Sequence, residues 1–309
     1  MKRYILIALA LTAQQISAQA QTPTLPSAGS ESQPSVGTPT LPPAASAGAV
    51  APGASAQPAE PTVLSLSAFF SGDPKPIRSG LTWRVYEDRG DQPALLAKSD
   101  DPAPSFNLPP GAYIVHAAYG FAGATKRVTV APSGGAAERL AISAGALQLG
   151  GVIGDNPIPP AKLSFAIFVP VGNNSEGRLV RANVKGGDIV RLPEGVYHVV
   201  STYGDSNAIM RADLRVEAGR VTAATLNHRA ATVTLKLVAT AGGEAFAGTA
   251  FSVLTPGGDV IREAIGAFPS LTLADGDYVV IARHEGQVYT REFKVESGLD
   301  RDIEVTAAR

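Results

Sequence analysis

The chain has no cysteine, one tryptophan, two methionines and four histidines in 309 residues. Without cysteine there are no disulfides, so each folded part has to be held by its own apolar core. Four histidines with no HxH or HExxH spacing give no zinc site, and none of the loops has the D-x-D-x-D-G spacing of a calcium site. No GxSxG, P-loop or strand-linked GxGxxG occurs, and no stretch holds an apolar period of 3.6 residues. No cofactor is implied. Charge of one sign is missing as well: 26 basic and 27 acidic residues leave a net charge of -1, which gives no electrostatic reason to expect nucleic acid or an anionic membrane as partner.

The N-terminus reads as an export signal. Lys2 and Arg3 form a charged start, Tyr4 to Ala13 an apolar run, and Ala18-Gln19-Ala20 a small-x-small cleavage site. The apolar run falls short of the roughly 20 residues that span a bilayer. Residues 1–20 are therefore expected to be removed, and the mature chain, with no transmembrane segment, to be periplasmic or secreted. Residues 21–62 are Pro, Ala, Ser, Gly and Thr with TPTLP at Thr22 to Pro26 and again at Thr38 to Pro42, a composition that predicts an extended, disordered leader.

From Val63 the composition turns to Val, Ile, Leu, Ala, Thr and Tyr broken at short intervals by Gly, Pro, Asn or Asp, the pattern of many short strands. One frame occurs three times: LPPGAYIVHAAYG from Leu108, LPEGVYHVVSTYG from Leu192 and LADGDYVVIARHEG from Leu273. Its glycines, Gly111, Gly195 and Gly276, stand 84 and 81 residues apart, a domain-sized period. Each frame is preceded by a strand with a leading aromatic (Trp83, Phe165, Phe251) and followed by a strand ending in a Gly turn (Gly134, Gly219, Gly298). With no crossover helix in sight, the expected fold is all-β: three tandem antiparallel sandwich modules of about seven strands each, at residues 63–144, 145–229 and 230–309. The junctions, Ala144-Gly145 and Arg229-Ala230, leave no room for free linkers, so neighbouring modules are expected to touch.

Within the frame, the Leu closes one strand, the Gly is expected to supply φ > 0 in a tight turn, and the Tyr opens the next strand. Period 2 then puts Tyr113, Val115, Ala117 and Tyr119 on one face, which is read as the core, with the tyrosine hydroxyl bonded at the sandwich edge. Such a Leu-Pro-x-Gly-x-Tyr-x-Val turn late in a β unit resembles the carboxypeptidase-regulatory-like and transthyretin-like (prealbumin-like) domains, within the wider Ig-like sandwiches, and also PEGA-type surface repeats. The resemblance implies a binding or spacing role and carries over no catalytic residue.

Function is sought where the copies differ. Trp83 and Tyr86 in the first module are candidate contact residues as an aromatic platform, although the single Trp of a β-sandwich is read as core before platform. Arg283 and His284 are the candidate contact residues of the third. The function expected is an exported, non-enzymatic binding, display or spacer protein of the bacterial-type cell envelope, its partner an envelope protein or glycan. The alternative is a carbohydrate- or peptide-active enzyme with carboxylates such as Asp88, Asp100 or Asp205 converging in inter-module loops.

Overall fold

Why three separate cores form is visible in the strand parity. In the computed structural model, which describes residues 61–90 and 92–307, the first strand, β1 (Thr62–Phe70), alternates buried and open positions so that Leu64, Leu66 and Ala68 face inward. β2 (Thr82–Glu87) answers with Trp83 and Val85, and β5 (Gly111–Tyr119) with Tyr113, Val115 and Ala117. The remaining strands of this sandwich are β3 (Ala94–Ser99), β4 (Ser105–Leu108), β6 (Ala122–Val130) and β7 (Ala136–Ile142). They make a sheet of order β4-β1-β7 packed on a sheet of order β3-β2-β5-β6. Each fully buried Leu or Val contributes about 1.5–3 kcal/mol, which lets a disulfide-free unit of this size hold itself. The predicted export signal and all but the last two residues of the leader lie outside the described residues.

The second sandwich repeats the plan with β8 (Ala144–Ile153), β10 (Leu163–Val171), β11 (Asn174–Lys185), β12 (Ile189–Pro193), β13 (Gly195–Tyr203), β14 (Ile209–Val216) and β15 (Val221–Asn227). It adds a two-residue strand, β9 (Asn156–Pro157), and one turn of 3₁₀ helix at Pro160–Lys162, neither of which the sequence pattern predicts. The third is built from β16 (Ala230–Val238), β17 (Ala250–Leu254), β18 (Val260–Ile265), β19 (Ser270–Ala274), β20 (Gly276–His284), β21 (Gln287–Val295) and β22 (Arg301–Thr306). Its sheets, β19-β16-β22 and β18-β17-β20-β21, match those of the first two.

In one respect the sheets differ from a purely antiparallel expectation. The last strand of each sandwich runs parallel to the first: β1 with β7, β8 with β15, β16 with β22. No helix is needed, because the intervening strands, most of them in the opposite sheet, form the crossover connection.

The frame tyrosines do what their parity implies. Tyr113, Tyr197 and Tyr278 are buried, and each hydroxyl donates to the carbonyl four residues earlier, on Pro109 (2.7 Å), Pro193 (2.9 Å) and Ala274 (2.9 Å). Burial raises the pKa of all three phenols. The positive φ expected of the frame glycines holds at two of the three, but outside the left-handed turn region. Gly195 and Gly276 sit at φ 159° and 157°, nearly extended, and Gly111 has no positive φ. Here the tyrosine hydroxyl closes the turn, while the glycine starts a strand over the ring, with Tyr113 atoms 3.6 Å from a Cβ built at Gly111. Left-handed glycines stand instead at the far end of the frame, at Gly120 (φ 63°), Gly204 (φ 72°) and Gly286 (φ 78°).

Candidate functional site

The four residues expected from sequence fall in different environments. Trp83 is 0% exposed in the first core, so it offers no ring face to a ligand; this corrects its reading as a platform. Tyr86, three residues along the same strand, points to the opposite face and is half-buried beside Leu95 and Ile114, because residues three apart on a strand cannot share a face. Arg283 is exposed at the end of β20. The ring of His284 stacks on Phe246, with centroids 5.1 Å apart and planes at 11°. Trp83 and Tyr86 belong to the first sandwich and Arg283 and His284 to the third, so these four do not form one site.

The carboxylates of the enzymatic alternative do not converge either. Asp88 and Asp100 flank opposite ends of β2, where Asp88 pairs with Arg127 and Asp100 accepts from the Thr82 hydroxyl at 2.8 Å. Asp205 is an ion-pair partner of Arg262. The one His–Ser contact among the described residues, His228 Nε2 to Ser201 Oγ at 2.8 Å, lies inside the protein with His228 1% exposed and Ser201 0%, out of reach of a substrate. His198, also buried, pairs with Asp213 at 2.7 Å.

What the structure does build, and builds twice, is a junction. The described residues all fall within one compact unit. At the first junction, the corner after Tyr119 meets the strand of the next frame: the Phe121 N–H donates to the Arg191 carbonyl at 3.1 Å. A Cβ on Gly120 would stand 2.5 Å from Arg191 Cβ and 2.8 Å from its carbonyl oxygen, so only glycine allows this approach. Phe121 then lines a groove of about 260 Å³ with Val180, Pro193 and Tyr197 of the second sandwich. Beside it, Phe70 of the first sandwich stands 3.4 Å from a Cβ built at Gly219, a residue held within the second sandwich by its N–H bond to the Ala144 carbonyl at 2.8 Å.

At the second junction the same positions meet again with different chemistry. Gly204, which follows Tyr203, faces Thr272, and a Cβ there would be 2.7 Å from the threonine Cβ. Arg191 and Thr272 each immediately precede a frame leucine, Leu192 and Leu273. Asn207 replaces the apolar knob: its Nδ2 donates to the Tyr278 hydroxyl at 2.8 Å, and its Oδ1 accepts from the Ala274 N–H at 3.0 Å. That second bond requires Ala274, because the matching Pro193 and Pro109 have no N–H. The third copy of the corner, at Gly286, has no heavy atom within 4 Å of an added Cβ.

Arg191 is the residue sequence reading missed; it sits in an unremarkable predicted strand, Ile189 to Leu192. Its guanidinium carbon lies 5.0 Å from the Tyr119 ring centroid and 2.6 Å from a Cβ built on Gly80, so two left-handed glycines, Gly80 (φ 76°) and Gly120, make room for one side chain. Its Nε is buried without a partner. Among the described residues no cluster of three or more His, Asp or Glu could hold a metal ion, and no helix is long and apolar enough to cross a membrane.

Against known proteins, residues 232–307, which span the third sandwich, match the family model described as the Rhizobiales growth-associated tandem repeat domain. This is a different family from those the frame resembles. No curated protein matched the chain. Among solved structures, the Bacillus anthracis TIE protein is 18% identical, with 80% of this chain and 50% of that chain covered and a TM-score of 0.24; the chain thus spans about half its length. A streptococcal ancillary pilin is 15% identical over 80% of this chain and 99% of its own, at a TM-score of 0.28. A putative cell adhesion protein from Bacteroides ovatus is 12% identical over 53% and 91%, also at 0.28. Likenesses at these scores carry no functional argument.

Proposed function

We propose that the chain is an exported, non-enzymatic protein of the cell envelope that holds three β-sandwich modules in a fixed series and presents their outer faces to an envelope protein or glycan. The observation that carries this reading is the repeated junction. Two copies of one glycine corner clamp successive sandwiches, whereas the histidines and carboxylates that catalysis would draw on are buried, paired or scattered. Energy has gone into fixing modules against one another, which suits display or spacing.

The boundaries that go with this proposal are residues 1–20 for the export signal, 21–62 for the leader, and 63–144, 145–229 and 230–309 for the modules. The third matches a family defined as a tandem repeat, which supports treating the first two as divergent copies of the same unit. The compartment is tested by fractionating cells that express the tagged chain with and without residues 2–20. The full chain is expected in the osmotic-shock or culture fraction and the truncated one in the cytoplasm. Retention of both in the cytoplasm would overturn the export reading. For the partner, in-cell crosslinking from the outer faces is expected to trap an envelope component, and repeated recovery of the chain alone would count against display.

A further inference from the structure

The first junction contains a groove with a chemistry of its own. It is an open cleft of about 560 Å³ where the outer face of β2 and β5 meets the second sandwich, and Gly80, Thr82, Arg84, Asp100, Gly120 and Arg191 line it. Arg191 reaches it from the other sandwich, seated by the two glycines and the Tyr119 ring. Among the described residues, neither Arg84 nor Arg191 makes an ion pair. The carboxylate present, Asp100, is engaged by the Thr82 hydroxyl at the exposed rim, leaving two guanidinium groups against one acid.

One neighbour carries the same sign: Lys98 lies directly opposite Arg84 on one side in register, with His116 on the other. The His116 pKa is lowered, first by burial and then by the positive charge of Arg84. The arrangement is particular to this junction: the places of Arg84 are taken by Ala166 and Ser252 in the other sandwiches, and those of Arg191 by Asn107 and Thr272. Two guanidinium groups lining one open cleft, neither held in an ion pair, supply the N–H donors that recognise a tetrahedral oxyanion.

We propose that this groove binds a phosphate group, held between the guanidinium groups of Arg84 and Arg191. It is an added binding property of the first junction and stands whether or not the chain is exported.

The test is a titration of the chain from Gln21 to Arg309 with inorganic phosphate, glucose 1-phosphate and acetate, read by NMR at the Gly80 and Gly120 amides and the arginine Nε–H signals. Saturable phosphate shifts confined to these groups are expected, with Kd at or below about 1 mM. Arg84→Gln and Arg191→Gln are each expected to weaken binding about tenfold or more, the loss of a charge-assisted bond. Lys98→Gln, on the same face outside the groove, is expected to weaken it less than about threefold, as general screening would. Tighter binding of the sugar phosphate points to a phosphorylated glycan and equal binding to the free ion; both support the site. No saturable shift, equal weakening by Lys98→Gln, or acetate bound as tightly as phosphate would each overturn it. Unchanged melting temperature and Trp83 fluorescence certify that the variants fold.

Discussion

Adding one methyl group at Gly120 should do far more damage than adding it at Gly286, although both glycines stand at matching corners of the repeat with φ of 63° and 78°. At Gly286 the cost is that of holding alanine in a left-handed conformation, about 1–2 kcal/mol, because the added atom meets nothing within 4 Å. At Gly120 the same backbone cost applies, and the methyl group would also stand 2.5 Å and 2.8 Å from Arg191 Cβ and carbonyl oxygen. Those atoms belong to a strand and cannot swing aside. Relief requires the sandwiches to part, which breaks the Phe121 N–H bond to Arg191, about 1 kcal/mol, and withdraws part of the Phe121 ring from its groove, roughly 1 kcal/mol more. Gly120→Ala is therefore expected to cost about 3–4 kcal/mol against about 1–2 for Gly286→Ala. Urea unfolding followed by circular dichroism gives both values, and limited proteolysis should show new cleavage near Ala144 only in Gly120→Ala. Equal costs for the two variants, with no new cleavage, would refute the reasoning.

The other expectations concern single groups. Trp83→Ala removes a ring that is 0% exposed and should cost about 3–5 kcal/mol in urea unfolding, whereas a surface platform residue would cost nearly nothing. Asn207→Ala deletes both bonds to the third sandwich and leaves the Ala274 N–H unpaired, so a loss of about 1–3 kcal/mol is expected from the same measurement. His228 is 1% exposed and its pKa is lowered from 6.5 by burial. The unfolded chain then takes up a proton at higher pH than the folded chain, so the stability contribution is intact above about pH 6.5 and is lost as the pH falls below it, down to the folded-state pKa. Melting temperatures across this range should show an acid slope that His228→Gln flattens; an unchanged slope would assign it to other groups.

Strand parity made the cores legible in advance, because a one-sided strand writes its burial into every second residue: Leu64, Leu66 and Ala68, or Tyr113, Val115 and Ala117. The frame was equally visible, but the role of its glycines was misplaced. A Gly after Pro or Asp reads as a turn, and nothing local reveals that a tyrosine hydroxyl reaching back four residues closes the turn instead. The parallel pairing of β1 with β7 was hidden for a related reason, since it joins residues about 70 apart and depends on which sheet each strand enters. The junctions were half legible. Short spacers such as Ala144-Gly145 signalled contact, yet Arg191 and Thr272 lie in ordinary strand sequence, and only the folded arrangement sets them against Gly120 and Gly204. Trp83 is the converse case: rarity made it a candidate contact, while its strand position already favoured the core, where the structure places it.

Amide hydrogen exchange at Phe121 and Ala274 tests most directly whether the corners fix the modules in series. Both N–H groups donate across a junction, to the Arg191 carbonyl at 3.1 Å and to Asn207 Oδ1 at 3.0 Å. The account predicts protection comparable to that of the sandwich strands, with Phe121 losing it in Gly120→Ala and Ala274 losing it in Gly204→Ala. Exchange of both amides at the rate of an open loop in the unaltered chain would show independent sandwiches and contradict the account.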